Sequence, residues 1–192
     1  MAYSASSIGA YTISYNSTPF SDQYNNVVIN EIHYNPSDDQ GPDSTFEFLE
    51  IYNNSLNQIS LSGWTLSSGS YSVDLSGNSI DANGYVIVVD DELAYTALSA
   101  TVISAGGYFG LSNSGASFDL KDSLGRLVNE VSYSISLGWD ITDSDGDGAS
   151  GGGLSLELTD PALDNSDPSN WTVSGVDGGT PGAANSSESD IM

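Results

Sequence analysis

Asn30-Glu31-Ile32-His33-Tyr34 and Glu47-Phe48-Leu49-Glu50-Ile51-Tyr52-Asn53 are the stretches that decide how this chain folds. Each packs β-branched and aromatic residues into a short run bounded by Asn, Pro, Asp or Gly, the composition of strands separated by turns. Working outward, the same pattern marks candidate strands at 11–15, 27–34, 46–53, 64–66, 71–75, 85–89, 118–121, 127–133, 154–158 and 171–173. Between them, Ser76-Gly77-Asn78, Ala82-Asn83-Gly84 and Ser123-Leu124-Gly125 supply residues that tolerate positive φ. Helical periodicity is nearly absent, with one turn expected within 91–98 before a Gly-rich stretch. About ten short strands in one chain predict two packed antiparallel sheets. Tyr85-Val86-Ile87-Val88-Val89 is continuously apolar, as a central strand covered on both faces requires. Leu154, Leu156 and Leu158 alternate with Ser155 and Glu157, which predicts a strand wet on one face.

The 192 residues suffice for one well-covered core, and the 38% apolar content can fill it. Twenty-six acids stand against only Lys121 and Arg126, a formal charge of −24, yet charged residues make up 15% of the chain. The surface is therefore stripped of cations rather than crowded with charge. Such a field repels phosphate backbones and anionic headgroups, which are held mainly by Lys and Arg, so nucleic acid and membrane surfaces are excluded as partners. It attracts divalent cations and is least costly in salty or calcium-rich surroundings, an extracellular setting. There is no cysteine, hence no disulfide and no thiolate metal site. No segment has the ~20 apolar residues of a membrane span, and direct membrane insertion is not expected. Met1-Ala2 reads as an expression start on an excised module, with any export signal or anchor expected outside it.

Taken in order, the phrases resemble the lamin-tail domain in its prokaryotic form. They are Asn30-Glu31-Ile32, residues 47–53, Leu61-Ser62-Gly63-Trp64, residues 84–89, Leu120-Lys121-Asp122 through Gly125 to Tyr133, Trp139, residues 153–158, Trp171, and Thr180-Pro181-Gly182-Ala183-Ala184-Asn185. Each is weak alone; their order is what makes the resemblance specific. It implies an all-β, immunoglobulin-like antiparallel β-sandwich over 27–185, agreeing with the independent strand count. Residues 1–26 then form an N-terminal arm or extra edge strand, and 186–192 a linker, the tail from Ala183 onward having that character. In prokaryotes such modules are typically found on secreted or surface proteins beside hydrolases or adhesive repeats.

The stretch between Trp139 and Gly153 departs from the family pattern as an acidic insertion. Asp143, Asp145 and Asp147 alternate there, with Gly148 next and Asp140 just before. Calcium loops use this spacing because alternate side chains of a tight turn converge on one centre, and Ca²⁺ takes six to eight oxygens at about 2.3–2.6 Å. The twelfth position of an EF-hand register holds Leu154 rather than Glu, so closure would need Asp140, Asp160 or a carbonyl. A solvated acidic turn is the plain alternative. The resemblance also makes Glu31, Glu47 and Glu50 neighbours on adjacent strands, a second candidate metal group. Alternation lets Glu47 and Glu50 share a face only across a bulge or at a strand end. Carboxylates that fix strand ends by accepting loop amides are the structural alternative, since a buried unpaired carboxylate is costly.

His33 is the only histidine and reads as a strand-surface residue, because no spacing singles out a nucleophile for it to activate. Trp64, Trp139 and Trp171 read as core rather than as a carbohydrate platform. Tyr3, Tyr11 and Tyr15 make the arm the freer aromatic surface, able to pair with another copy by strand addition. The expectation is thus a non-catalytic extracellular module for adhesion, assembly or surface attachment within a larger protein. Protein or glycan partners and Ca²⁺ are expected with it. The alternative is a carbohydrate- or polymer-targeting accessory module of a secreted hydrolase.

Overall fold

The computed structural model describes residues 26–186 apart from 108, 137, 140, 143–145 and 147. The two deciding stretches become β1 (Val27–His33) and β2 (Phe48–Asn53), joined through a four-residue helix, α1 (Asp43–Phe46). Then follow β3 (Ile59–Ser60), β4 (Thr65–Ser68), β5 (Tyr71–Asp74), β6 (Ser79–Ile80) and β7 (Tyr85–Val89). After a 3₁₀ turn at Glu92–Tyr95 come β8 (Thr101–Ser104), β9 (Gly115–Lys121), β10 (Leu127–Ser134), β11 (Leu156–Leu158) and, past a second 3₁₀ turn, β12 (Trp171–Val173). A six-stranded sheet of order β12-β11-β1-β2-β7-β8 faces a four-stranded sheet of order β10-β9-β4-β5, while β3 and β6 pair separately. The expected antiparallel sandwich is what forms, with one parallel pairing, β7 to β8.

Strand alternation sorts the six-stranded sheet into two faces. Ile29, Ile32, Leu49, Ile51, Val86 and Val88 pack with Leu66, Phe118, Leu120, Val131 and Tyr133 of the other sheet to form the main core. On the far side Phe48, Ile87 and Val89 gather with Tyr95 of the 3₁₀ turn in a smaller cluster. A register shift between Ile29 and Glu31 inserts an extra residue into β1, so Ile29 and Ile32 both reach the main core although they are three apart. Glu31 falls on the outer face as a result.

Trp64, Trp139 and Trp171 are core residues, and the rings of the last two meet at 5.6 Å. β7 is covered on both faces as its composition demands. Two expectations are corrected. β11 is not wet on either face: Ser155 and Glu157 are fully buried, because residues 174–186 return across the outer face. For the same reason the linker character expected from Ala183 onward does not hold as far as Ser186, where Asn185 is buried and Ser186 is bonded to the sheet. The expected strand at 11–15 lies outside the described residues, as does 187–192. Among the described residues no helix is long and apolar enough to cross a membrane.

Candidate functional site

Glu31 of β1 stands in register with Glu157 of β11 on one side and Glu50 of β2 on the other, and all three are fully buried. Directly opposed residues on neighbouring strands have Cβ atoms about 4.5–5.5 Å apart, and like charges at that spacing repel. The arrangement persists because a closing segment, residues 174–186, lays its hydrogen-bond donors over the acids.

Thr180 starts a turn in which its carbonyl accepts from Ala183 N at 3.0 Å. Pro181 presets the first central position, and Gly182, at φ +79°, takes the left-handed second one, the signature of a type II turn. That turn leaves the Gly182 N–H outside its own hydrogen bond, free to donate to Glu50 Oε2 at 2.8 Å. Thr180 N donates to Glu31 Oε1 at 2.8 Å, joined there by the Ser155 hydroxyl at 2.5 Å. Ser186 donates both N and Oγ to Glu157 Oε2, at 2.9 and 2.6 Å. Asn30, the extra residue of the bulge, donates to Glu50 Oε1 and to Asn185 Oδ1. Asn185 in turn donates to the carbonyls of Asn30 and Leu158, filling the gap where β1 parts from β11.

One hydroxyl lies between two of the acids. Thr180 Oγ1 lies 2.8 Å from Glu157 Oε1 and 3.3 Å from Glu31 Oε2, yet it has a single hydrogen. Both contacts are satisfied when Glu31 Oε2 carries a proton and donates to Thr180, which donates onward to Glu157. Burial, opposed by the Ser155 and Thr180 bonds, raises the Glu31 pKa from 4.5 to about 8. Burial and the neighbouring Glu31 push Glu50 well above the ordinary range. The cluster is a hydrogen-bonded and partly protonated lock between strands rather than a set of free carboxylates.

Glu47 does not belong with Glu31 and Glu50. It precedes β2 on the opposite side from Glu50 and accepts from Leu111 N at 3.0 Å, with burial lifting its pKa to about 7. The anticipated group of Glu31, Glu47 and Glu50 is thus replaced by Glu31, Glu50 and Glu157. The bulge that rearranges the acids is in β1, where it was not expected. Among the described residues no group of three or more His, Cys, Asp or Glu is placed to hold a metal ion. Asp140, Asp143, Asp145 and Asp147 lie outside the described residues. His33 is no surface residue; it is 1% exposed, and burial lowers its pKa to about 4. Sequence reasoning passed over Glu157, Ser155 and Thr180 as site residues, although all three sit in phrases that carried the family resemblance.

A search of curated proteins finds no match to the chain. A family model described as Lamin Tail Domain matches residues 21–135, more than half of the 192. The matched stretch ends just after β10, so β11, β12 and the closing segment lie beyond it, yet they complete a sheet that begins inside it. The chain belongs to the lamin tail domain family, a family of non-catalytic immunoglobulin-like modules.

Proposed function

We propose that this domain is a non-catalytic binding module serving adhesion, assembly or surface attachment within a larger secreted or surface protein. The observation that carries the reading is how the buried acids are used. Glu31, Glu50 and Glu157 have their oxygens taken by Ser155, Thr180, Gly182 and Ser186, so they act as struts of the sheet rather than as acid–base groups facing a substrate. Calcium is taken up by Asp140, Asp143, Asp145 and Asp147, the last three alternating in sequence between Thr142 and Gly148, which are bridged to each other. Binding only to the folded state at a hundredfold excess over Kd adds about 2.7 kcal/mol. Melting with CaCl₂ and with EDTA tests that part: equal melting temperatures would remove calcium. Sedimentation velocity and attachment of the labelled domain to protein-coated surfaces test the rest. A chain that neither self-associates nor attaches to any such surface would overturn the assembly reading.

The targeting alternative is favoured by a polar cleft of about 220 Å³ lined by Ser79, Asp81, Tyr85, Ser99 and Thr101. Tyr85 stacks there on Tyr52 at 4.8 Å. An aromatic wall with hydroxyl and carboxylate neighbours suits a sugar ring. A glycan array decides: saturable binding that Tyr85→Ala abolishes would favour targeting, and a blank array would dismiss it.

A further inference from the structure

Glu31, Glu50 and Glu157 are buried side by side without a counter-charge. The chain's two basic side chains, Lys121 and Arg126, belong to the other sheet and its hairpin, where they pair with Asp119 and Asp122. The groups around the row bring no positive charge either. His33, two residues along β1, is kept neutral by burial. Tyr95 of the 3₁₀ turn, within reach of both Glu31 and Glu47, donates its hydroxyl to the Phe46 carbonyl. Asp177 of the closing segment is itself an acid, and it is exposed. Acids in such a row have two ways to relieve their repulsion: they keep a proton, or they reach water.

Water is kept off by the closing segment, which is fastened by polar contacts. No residue of 174–186 belongs to either apolar core cluster, and Val176, Ala183 and Ala184 face solvent. The base of the segment is fixed by backbone bonds, Ser174 N to the Ser155 carbonyl at 2.9 Å and Gly178 N to the Gly153 carbonyl at 2.7 Å. From Gly179 onward it is tied to the sheet through the three acids and through Asn185, which meets Asn30 and the Leu158 carbonyl. Gly178 and Gly179, at φ +81° and +70°, supply a pivot between the two parts. A piece held in this way can open as a unit while the apolar core stays intact.

We propose that residues 179–186 are a proton-controlled latch, closed over the outer face while the row of Glu31, Glu50 and Glu157 holds a proton and lifted about Gly178 and Gly179 when the row ionises. Lifting brings water to the ionised acids and leaves the two sheets paired. The latched state holds the proton that the lifted state releases, so raising the pH favours lifting. The device stands apart from the reading of the domain as a binding module and needs no ligand.

Because the chain has no cysteine, nitroxide labels can be placed on the full chain at Ala184→Cys of the segment and Leu124→Cys of the β9–β10 turn, both exposed. Their separation is read by pulsed electron resonance between about pH 6 and about pH 9, a span that brackets the Glu31 value of about 8. One distance is expected at the acid end. A second, longer population should grow with pH, its ratio to the first rising by up to about tenfold per pH unit once the row ionises. Glu31→Gln keeps an acceptor for Ser155 and Thr180 N and a donor for the Thr180 hydroxyl, and should hold the first distance throughout. Amide spectra of the labelled chains report whether the sandwich is kept. A distribution that does not change with pH, a change as large in Glu31→Gln, or loss of the folded amide spectrum at the same pH would each overturn the latch.

Discussion

Glu31 and Glu157 face each other across β1 and β11 with the Thr180 hydroxyl bonded to both, although Thr180 is 149 residues from one and 23 from the other. Thr180→Val keeps the shape and removes the hydroxyl, leaving two buried carboxyl groups short of a partner. A loss of about 1–3 kcal/mol is expected in urea unfolding, with Thr180→Ser recovering most of it. Equal stability of Val and wild type would show that the hydroxyl does not couple the acids.

Protonation of the cluster gives stability an acid-shifted optimum. Glu31 and Glu47 have folded pKa values of about 8 and about 7 against an ordinary 4.5, and Glu50 moves the same way. The folded state then holds more protons than the unfolded one above pH 4.5, so their contribution is complete below that pH and is lost as pH rises through 7 to 8. His33 acts in the opposite sense: lowered from 6.5 to about 4, it withdraws stability as pH falls through that window. The acids outnumber it, and stability is expected to decline from weakly acid to weakly alkaline pH. Glu31→Gln, which mimics the protonated form, should flatten the slope by up to about 1.4 kcal/mol per pH unit. An unchanged slope would mean that Glu31 does not titrate in this range.

Gly179 of the closing segment lies against Glu31 and Ser155 of the sheet face. Its φ is +70°, and a Cβ there would collide with Glu31 Oε1 and come within 2.6 Å of the Ser155 hydroxyl. Gly77 has a similar φ of +85° with nothing within 4 Å. Gly77→Ala should cost about 1 kcal/mol, the backbone effect alone, and Gly179→Ala clearly more. Equal losses in chemical denaturation would remove the steric contact from the account.

Ending the chain at residue 178 would remove the Thr180, Gly182 and Ser186 donors and leave Glu31 with Ser155 and Glu50 with Asn30, whereas ending it at 186 keeps them all. The longer version should melt like the full chain, and the shorter should lose its cooperative transition or bind a hydrophobic dye. Matching melts of both would show that the outer face closes without this segment.

Strand content was legible in the sequence wherever β-branched residues ran together, and 85–89 and 171–173 coincide with β7 and β12. β8 was missed because only Val102 and Ile103 are apolar in it; its parallel pairing with β7 makes it a strand. β3 and β6 are two residues each, too short for any period. Alternation assigned Glu157 to a face correctly but could not say what would cover that face, which depends on residues 174–186 arriving from far along the chain. His33 was misread for the same reason. The spacing rule that kept Glu47 and Glu50 apart was sound, and the register shift at Asn30 is a tertiary event that no local pattern announces.

The 149-residue reach of Thr180 back to Glu31 also sets an order of events in the making of the protein. On a ribosome β1 and β2 emerge early, but the outer side of their sheet stays unsealed until the segment around Thr180 has been synthesised. Because closing so long a loop comes after the local pairings, completion of the domain is post-synthetic with respect to nearly all of its own strands. Whatever is translated after residue 186 is therefore being extended while this domain is only just closing.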